Sequence, residues 1–293
     1  MLSGKMKFNN KKNMKIGIIG GNGMLGKDLS LLLTSRGFEL SVFCYPEYDI
    51  TKEVDLHKIT QTTDIIINCA AYTAVDKAEI DIEECYAINA EAVGKLGQYS
   101  AEAGKYLIHV STDFVFGNNA IEPLNEDSPT NPVGVYGTSK LEGELLLKQT
   151  GVQHSIIRIE WTYGVNGENF ISKILSLASR SDELKVVNDQ VGSPTSTLDV
   201  AKVIFFFIEN KVRGLFHFAA KGYVSRYEVA CNVFDILGVK KNIIPCSSSI
   251  FPTPAKRPLN SRFDCSKIDK ILDYERPFWK DSLKKYLCCD LSH

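Results

Sequence analysis

The 293-residue sequence lacks the features that would point to a membrane, to nucleic acid or to secretion. No apolar run approaches the ~20 residues of a transmembrane helix, and the N-terminus has no secretory apolar core. The 34 Lys and Arg residues are balanced by 35 Asp and Glu residues, so the net charge of −1 favours neither nucleic acid nor an anionic membrane as partner. We therefore expect a cytoplasmic protein that binds a small molecule.

Cysteine is present, but without a pattern that indicates a metal or a disulfide framework. The eight cysteines include no C-x-x-C pair, and no histidine lies at a spacing typical of zinc sites. Cys288 and Cys289 are adjacent in the chain, a geometry that makes a poor structural disulfide. We expect reduced thiols and no metal in the site. Internal repeats and low-complexity tracts are also missing.

Residues 1–13 are basic and have no apolar periodicity, which predicts a disordered leader rather than a folded element. A basic arm for a polyanion is the alternative. Met14 stands immediately before the first expected strand and is an alternative start of the chain.

The most informative stretch runs from Lys15 to Gly26. Mostly β-branched residues lead directly into three glycines, and an apolar helix pattern follows. Gly20 would permit a sharp turn, Gly23 a close approach of the backbone to phosphates, and Gly26 close packing of the helix on the strand. The glycines are spaced three and three rather than two and three. Because both the strand and the helix are present, we prefer a cofactor pyrophosphate site to a turn that merely needs glycine.

Strands and helices then alternate with a period of ~25 residues, which predicts an α/β fold with a doubly wound parallel sheet of Rossmann type. We expect this cofactor-binding domain to span residues 14–161. The rhythm weakens afterwards, so residues 162–293 are interpreted as mostly a small mixed C-terminal substrate-binding lobe, with elements that return to the sheet. One long helix is expected to end near residue 103. Further strands are expected at residues 40–44, 64–71, 106–110 and 155–159.

The second strand ends without the residue that usually selects the cofactor. An acidic residue there would bind a ribose hydroxyl and a basic residue a 2′-phosphate, but the chain has Phe43, Cys44 and Tyr45. NAD and NADP therefore both stay open. Asp49 is expected to cap the following helix or to lie by the adenine. The small residues Ala70 and Ala71, after the third strand, would leave room for a ligand.

Three residues form a candidate catalytic set. Tyr136 and Lys140 are four apart in an expected helix and so share one face, and an ammonium beside a phenol lowers the phenol pKa. Lys140 can also hold a nicotinamide ribose. Thr112, at the end of the fourth strand, can orient a carbonyl oxygen toward Tyr136. The set predicts reduction of a carbonyl with NADPH or NADH, whereas His109, inside the strand, is expected to be a packed core residue.

These residues, together with five longer motifs, resemble the dTDP-4-dehydrorhamnose reductase family of extended short-chain dehydrogenases/reductases. The likeness runs from about Met14 to the C-terminus. The motifs lie at residues 68–79, 109–117, 136–144, 188–195 and 257–261.

The resemblance implies reduction of the C4 ketone of a nucleotide-linked 6-deoxy-4-ketosugar, with dTDP-4-dehydro-β-L-rhamnose as the expected substrate. It makes Tyr136 the proton donor, which Lys140 assists and Thr112 tunes. It assigns the pyrophosphate to Gly23, Met24 and Leu25, the adenosine to Asp49 and Ile50, the rest of the cofactor to Ala70, Ala71, Thr73, Tyr136 and Lys140, and the sugar to Val75, Thr112, Asp113 and Trp161.

Residues 256–262 carry Lys256, Arg257 and Arg262, where a nucleotide diphosphate could bind. A surface loop broken by proline is an equal alternative. Of these residues we expect Arg257 to contact substrate.

Two departures from the family pattern bear on the sugar. Phe114 stands where the family has tyrosine, and Glu160 where it usually has a small hydroxyl residue. A third feature bears on the reaction: Thr112 and Asp113 are not followed by the second carboxylate that related dehydratases use, so reduction is favoured over dehydration.

Two other functions stay open from the sequence. One is a non-catalytic NADP-binding regulatory subunit, similar to that of methionine adenosyltransferase. The other is a reductase or epimerase of another nucleotide sugar. Enzymes of the family can form homodimers, some through a bridging magnesium ion, so a homodimer is a possible assembly.

Overall fold

A six-stranded parallel sheet forms the centre of the fold in the computed structural model, which describes residues 14–117 and 121–290. The strand order is β2-β1-β3-β4-β5-β10, and every neighbouring pair is parallel. This confirms the predicted Rossmann-type sheet, whereas the leader expected at residues 1–13 lies outside the described residues. The strands are β1 (Lys15–Ile19), β2 (Glu39–Phe43), β3 (Ile65–Asn68), β4 (Tyr106–Thr112), β5 (Gln153–Ile159) and β10 (Gly214–Phe218).

Helices cover both faces of this sheet because the strands are apolar on both sides. Ile65 and Ile67 pack on the face covered by α1 and α8, whereas Ile66 packs on the face covered by α2, α5 and α6. This alternation follows the two-residue period of a strand. The helices are α1 (Met24–Ser35), α2 (Glu53–Thr62), α5 (Ala92–Glu102), α6 (Val135–Gln149) and α8 (Thr197–Asn210).

The long helix expected to end near residue 103 is present and ends at Glu102, but it contains a π-helical segment that the sequence did not predict. It consists of α4 (Ile82–Tyr86), a π-helical turn (Ala87–Glu91) and α5, and it follows the short helix α3 (Val75–Ala78). Within the turn, the Asn89 side chain accepts from the Tyr72 amide (2.9 Å) and donates to the Tyr72 carbonyl (3.2 Å). The turn thus ties the loop after β3 to the helices, as π-turns often do near functional sites.

The C-terminal elements build a second apolar core beside the sheet, centred on residues such as Ile174, Val229 and Trp279. None of the helices in the described ranges combines the length and apolar character needed to cross a bilayer. The remaining elements are β6 (Thr162–Tyr163), α7 (Phe170–Ala178), β7 (Glu183–Val187), β8 (Val191–Gly192), β9 (Thr195–Ser196), β11 (Val224–Ser225), α9 (Arg226–Leu237), β12 (Asn242–Cys246), α10 (Ser266–Asp269) and α11 (Trp279–Lys285), with short 3₁₀ segments at Asp113–Val115 and Ser248–Ile250 and a π-turn at Tyr286–Asp290.

Candidate active site

The glycine turn lies at the point where the strand order reverses. The chain places β2 on one side of β1 and β3 on the other, and open α/β sheets bind ligands in the crevice at such a point. Gly20 has φ +75°, and a Cβ on it would lie 2.8 Å from the Ala70 nitrogen. A Cβ on Gly26 would lie 2.3 Å from the Gly20 carbonyl oxygen. The backbone segments that follow β1 and β3 therefore approach as closely as glycine permits.

The first turn of α1 points an uncapped helix end into this crevice. Gly23 is the N-cap and provides no side-chain acceptor, so the amides of Met24, Leu25 and Gly26 receive no side-chain cap. Uncapped amides and the helix dipole together suit a pyrophosphate. This arrangement fits the predicted nucleotide cofactor.

Asn68 fixes the residues that follow β3. Its side-chain oxygen accepts from the Ala70 amide at 3.1 Å, and its amide nitrogen lies 3.2 Å from Nδ1 of His109. Beyond them, Ala71 is half-buried, Thr73 is exposed, and Val75 is half-buried at the start of α3. The residues predicted to line the cofactor and the sugar thus follow one another along the same edge.

Asp49 and Ile50 follow β2, whose last carbonyl, on Phe43, accepts from the Gly20 amide at 2.8 Å. Ile50 is buried. The Asp49 carboxylate accepts from the amide (3.0 Å) and the hydroxyl (2.7 Å) of Thr51. Burial opposes its ionisation, but these bonds and Lys52 lower the pKa overall. Asp49 therefore caps the turn before α2, whereas the N-cap of α2 itself is Lys52.

Tyr136, Thr112 and Asp113 lie together at the carboxyl end of β4. The Thr112 hydroxyl donates to Oδ1 of Asp113 at 3.0 Å and accepts from the Phe114 amide at 3.2 Å, and the Phe114 ring packs edge-on against Tyr136 with ring centres 5.3 Å apart. The Asp113 carboxylate also accepts from Ser261 at 2.5 Å. Burial and the negative charge of Asp113 raise the Tyr136 pKa, and the Thr112 bond only partly offsets this. The sequence argument expected Lys140 to lower this pKa; the structure reverses the direction because desolvation dominates.

Lys140 is buried, with 2% of its surface exposed. Its Nζ donates to the Val110 carbonyl at 2.8 Å and lies 3.3 Å from Nε2 of His109. Burial lowers the Lys140 pKa to about 8, although Glu144 opposes the shift. His109 is fully buried, as the sequence predicted, and burial followed by the charge of Lys140 holds its pKa well below the usual value.

Helix α6, which carries Tyr136 and Lys140, is fixed to the sheet by a buried ion pair. Glu144 accepts from Nε (2.8 Å) and an Nη (2.6 Å) of Arg158 on β5. It also accepts from the Ser111 hydroxyl on β4 at 2.6 Å. Since both charges are satisfied, the pair fixes the helix rotation that presents Tyr136 to Thr112.

Arg257 is paired with a side chain of the protein. It donates to the two carboxylate oxygens of Asp76 at 3.2 and 2.8 Å, and to the Thr253 hydroxyl at 2.7 Å. The pair links α3 to residues 253–257. A role for Arg257 in binding a diphosphate stays a prediction.

Trp161 and Glu160 follow β5. Trp161 is half-buried and has φ +45°, which is unusual for a residue other than glycine. Glu160 is 1% exposed, and one of its oxygens accepts from the Ser193 amide at 2.9 Å. Burial and the charge of Asp113 raise its pKa well above the usual value.

Arg226 joins this group, and the sequence argument missed it. Its guanidinium carbon lies 3.6 Å from the centre of the Trp161 ring. Burial lowers its pKa to about 10 although Asp113 and Glu160 act to raise it. Arg226 lies 65 residues from Trp161 along the chain, and no local motif in the sequence marks it as a neighbour. The described residues contain no group of three or more His, Cys, Asp or Glu side chains placed to hold a metal ion.

Comparison with known proteins places this geometry in a family. The family model described as "RmlD substrate binding domain" matches residues 14–290. A dTDP-4-dehydrorhamnose reductase of Sinorhizobium fredii is 35% identical over 286 residues, which are 93% of this chain and 96% of the relative. The Escherichia coli protein of the same name is 39% identical over 237 residues, 76% of this chain and 79% of the relative.

Solved structures agree with these relatives. The crystal structure of a dTDP-4-dehydrorhamnose reductase from Clostridium acetobutylicum has a TM-score of 0.90 and 38% identity, over 94% of this chain and 98% of that one. The enzyme of the same name from Bacillus anthracis, solved in complex with NADP, also has a TM-score of 0.90, with 32% identity over 93% of this chain and 98% of that one.

Proposed function

We propose that this chain, which belongs to the dTDP-4-dehydrorhamnose reductase family, reduces the C4 ketone of dTDP-4-dehydro-β-L-rhamnose with NADPH or NADH and forms dTDP-β-L-rhamnose. The observation that carries the proposal is the placement of Tyr136 and Thr112 together at the carboxyl end of β4, where the Phe114 amide donates to the Thr112 hydroxyl at 3.2 Å and the Phe114 ring packs edge-on against the Tyr136 ring at 5.3 Å. It supplies a proton donor and a carbonyl-orienting hydroxyl in one place.

The cofactor would be held by the chain's own backbone. The uncapped amides of Met24, Leu25 and Gly26 would bind the pyrophosphate, and Ala70 would leave space beside it. Lys140 would contact the nicotinamide ribose. When bound, the reduced nicotinamide supplies a hydride to the substrate carbon.

Tyr136 supplies the proton. Because burial and Asp113 raise its pKa, the phenol stays protonated at neutral pH, which is the form that a reductase needs. The phenol donates this proton to the oxygen at C4 as negative charge develops there. The Thr112 hydroxyl orients that oxygen, and the phenolate that remains is reprotonated from solvent before the next turnover.

The experiment follows oxidation of NADPH and, separately, NADH by absorbance, with dTDP-4-dehydro-β-L-rhamnose freshly prepared by an epimerase. We expect sugar-dependent oxidation by the wild type and a loss of kcat by a factor of about 10² to 10⁴ in Tyr136→Phe. The variant should still bind the cofactor. Tyr99→Phe is the control, because the Tyr99 hydroxyl bonds Glu53 at 3.2 Å on a distant helix face.

A Tyr136→Phe variant that kept most of its kcat would overturn the proposed proton donor. Cofactor binding without oxidation in the wild type would favour a regulatory protein or another ketosugar. The ratio of kcat/KM for the two cofactors decides between NADPH and NADH.

A further inference from the structure

Among the residues that the structure describes, Arg226 makes no side-chain hydrogen bond or ion pair, unlike three other arginines that are buried or partly buried. Arg158, Arg257 and Arg276 each contact a carboxylate, at 2.6, 2.8 and 2.6 Å. Within the described ranges, no carboxylate lies within 4.0 Å of the Arg226 guanidinium, and its N–H groups make no hydrogen bond. A guanidinium has five N–H donors. A half-buried one that bonds nothing has its full donor capacity available to a ligand.

The position of Arg226 is fixed by stacking rather than by bonding. The guanidinium lies over the Trp161 ring at 3.6 Å and over the Phe170 ring at 4.9 Å. Such cation–π contacts hold the plane of the guanidinium but leave its edge donors free. Arg226 also begins α9, and its amide donates to the Gln190 carbonyl at 3.3 Å. The side chain is therefore pre-organised without its donors being used.

Arg226 also lies beside the proposed proton donor. Trp161, on which it stacks, meets Glu160 and Ser261 at Gly192, where an added Cβ would lie 2.7 Å from the Trp161 ring, 2.5 Å from the Glu160 carboxyl and 3.1 Å from Ser261. The Ser261 hydroxyl donates to Asp113 at 2.5 Å, and Asp113 accepts from Thr112 at 3.0 Å. The donors of Arg226 therefore border the place where the ketosugar ring has to lie for Tyr136 to reach its C4 oxygen.

The groups around Arg226 indicate which part of the substrate it meets. Asp113 and Glu160 are both buried, and burial raises the pKa of each carboxyl. A desolvated site of this kind accepts a neutral hydroxyl or ring oxygen at a lower cost than a charged diphosphate.

We propose that Arg226 is a specificity-determining residue, whose guanidinium donates a hydrogen bond to a neutral oxygen of the ketosugar ring while Trp161 holds it flat. This inference rests on the proposed function, because it assigns the sugar half of that substrate. Glu160 is a positioning residue here. Its carboxyl accepts from the Ser193 amide at 2.9 Å and so fixes the loop that follows Gly192.

The test measures binding without turnover, so that its failure is distinct from failure of the reductase assay. Dissociation constants of dTDP and of dTDP-β-L-rhamnose are measured by calorimetry on the full chain with saturating NADPH; product and reduced cofactor cannot react. The dissociation constant of dTDP divided by that of dTDP-β-L-rhamnose measures how much the sugar contributes to binding. In Arg226→Gln we expect this ratio to fall about tenfold while the dTDP constant stays within twofold. Arg226→Lys should be intermediate, because lysine keeps the charge but loses the planar donor fork.

Arg36→Gln is the matched control, since Arg36 also stacks on an aromatic ring, Phe205, at 5.1 Å but at the far end of α1. It should leave both constants unchanged. An unchanged ratio in Arg226→Gln overturns the inference, and so does an equal weakening of both ligands, which would place Arg226 on the diphosphate. If Arg226→Gln does not fold, Arg226→Lys decides: a ratio equal to that of the wild type overturns the inference.

Discussion

Nζ of Lys140 lies 3.3 Å from Nε2 of His109. Which of these two nitrogens donates a hydrogen depends on the bond that Nδ1 makes on the other side of the histidine ring. The Ala70 amide donates to the Asn68 oxygen at 3.1 Å, so the Asn68 nitrogen faces Nδ1 of His109 at 3.2 Å and donates to it. Nδ1 must then be an acceptor, which leaves the proton on Nε2. The Lys140 amine can accept this proton only in its neutral form.

The burial of Lys140 predicts how stability depends on pH. Folded Lys140 loses its proton from about pH 8, whereas an unfolded lysine keeps it up to about 10.5. Between these values the unfolded chain binds more protons, so the contribution of Lys140 to the free energy of unfolding rises with pH, by up to about 1.4 kcal/mol per pH unit. Below pH 8 both states are protonated, and burial of the charge is fully destabilising.

Denaturant titrations of the wild type and Lys140→Met at pH 7.5 and 9.5 measure this effect. The free energy of unfolding of Lys140→Met, relative to that of the wild type, should be lower at pH 9.5 than at pH 7.5. Lys27→Met, at an exposed position on α1, should show no such change relative to the wild type. Equal pH dependence in the wild type and Lys140→Met would contradict the lowered pKa.

The close approach at Gly26 predicts loss of cofactor binding in Gly26→Ala. The new methyl group would lie 2.3 Å from the Gly20 carbonyl oxygen and 2.6 Å from the Gly21 Cα, both backbone atoms. Helix α1 would have to move away from the turn and carry its first amides out of position. Fluorescence titration with NADPH should show at least a tenfold weaker affinity than the wild type, an order-of-magnitude expectation. Thr34→Ala, exposed in the same helix, should bind NADPH normally. Normal NADPH binding by Gly26→Ala would contradict a pyrophosphate site at the first amides of α1.

The buried pair of Glu144 and Arg158 predicts a large loss of stability in Glu144→Gln. Removing one charge leaves Arg158 buried without its ionic partner, which costs about 3–5 kcal/mol. The loss is measured as the free energy of unfolding in guanidinium chloride. Glu142→Gln, exposed on the same helix, should change it by less than about 0.5 kcal/mol. Similar values for the two variants would show that the pair does not fix α6.

Arg257 predicts opposite effects of two substitutions on dTDP affinity. Asp76 occupies the donors of Arg257 at 2.8 and 3.2 Å, so a diphosphate has to compete with it. Asp76→Asn should bind dTDP a few-fold more tightly because it frees the guanidinium, and Arg257→Gln should bind about tenfold more weakly. Unchanged affinity in both variants would leave Arg257 as a link between α3 and residues 253–257 only.

Local sequence was sufficient for the parts of this protein that depend on short-range patterns. Apolar runs such as Ile65–Asn68 predicted the parallel strands, because a strand buried on both faces is apolar throughout. Gly20 and Gly26 predicted the turn, because only glycine tolerates the backbone contacts seen there. The four-residue spacing of Tyr136 and Lys140 placed both on one helix.

Other features depend on groups that are distant in sequence. The helix that ends at Glu102 contains a π-helical segment where Asn89 bonds the main chain of Tyr72, and no periodicity of the sequence predicts this segment. The direction of the Tyr136 pKa shift depends on burial and on Asp113, and sequence spacing gives neither burial nor dielectric.

The sequence by itself determined the strand–turn–helix unit, the alternation of strands and helices along the chain, and the residue types available for hydride chemistry, since each follows from local pattern and chain order. Only the tertiary structure decided that Arg257 meets Asp76, that His109 meets Lys140, and that Arg226 stacks on Trp161 with its donors free. Electrostatic interactions depend on distance and burial, and these are set when remote segments pack together.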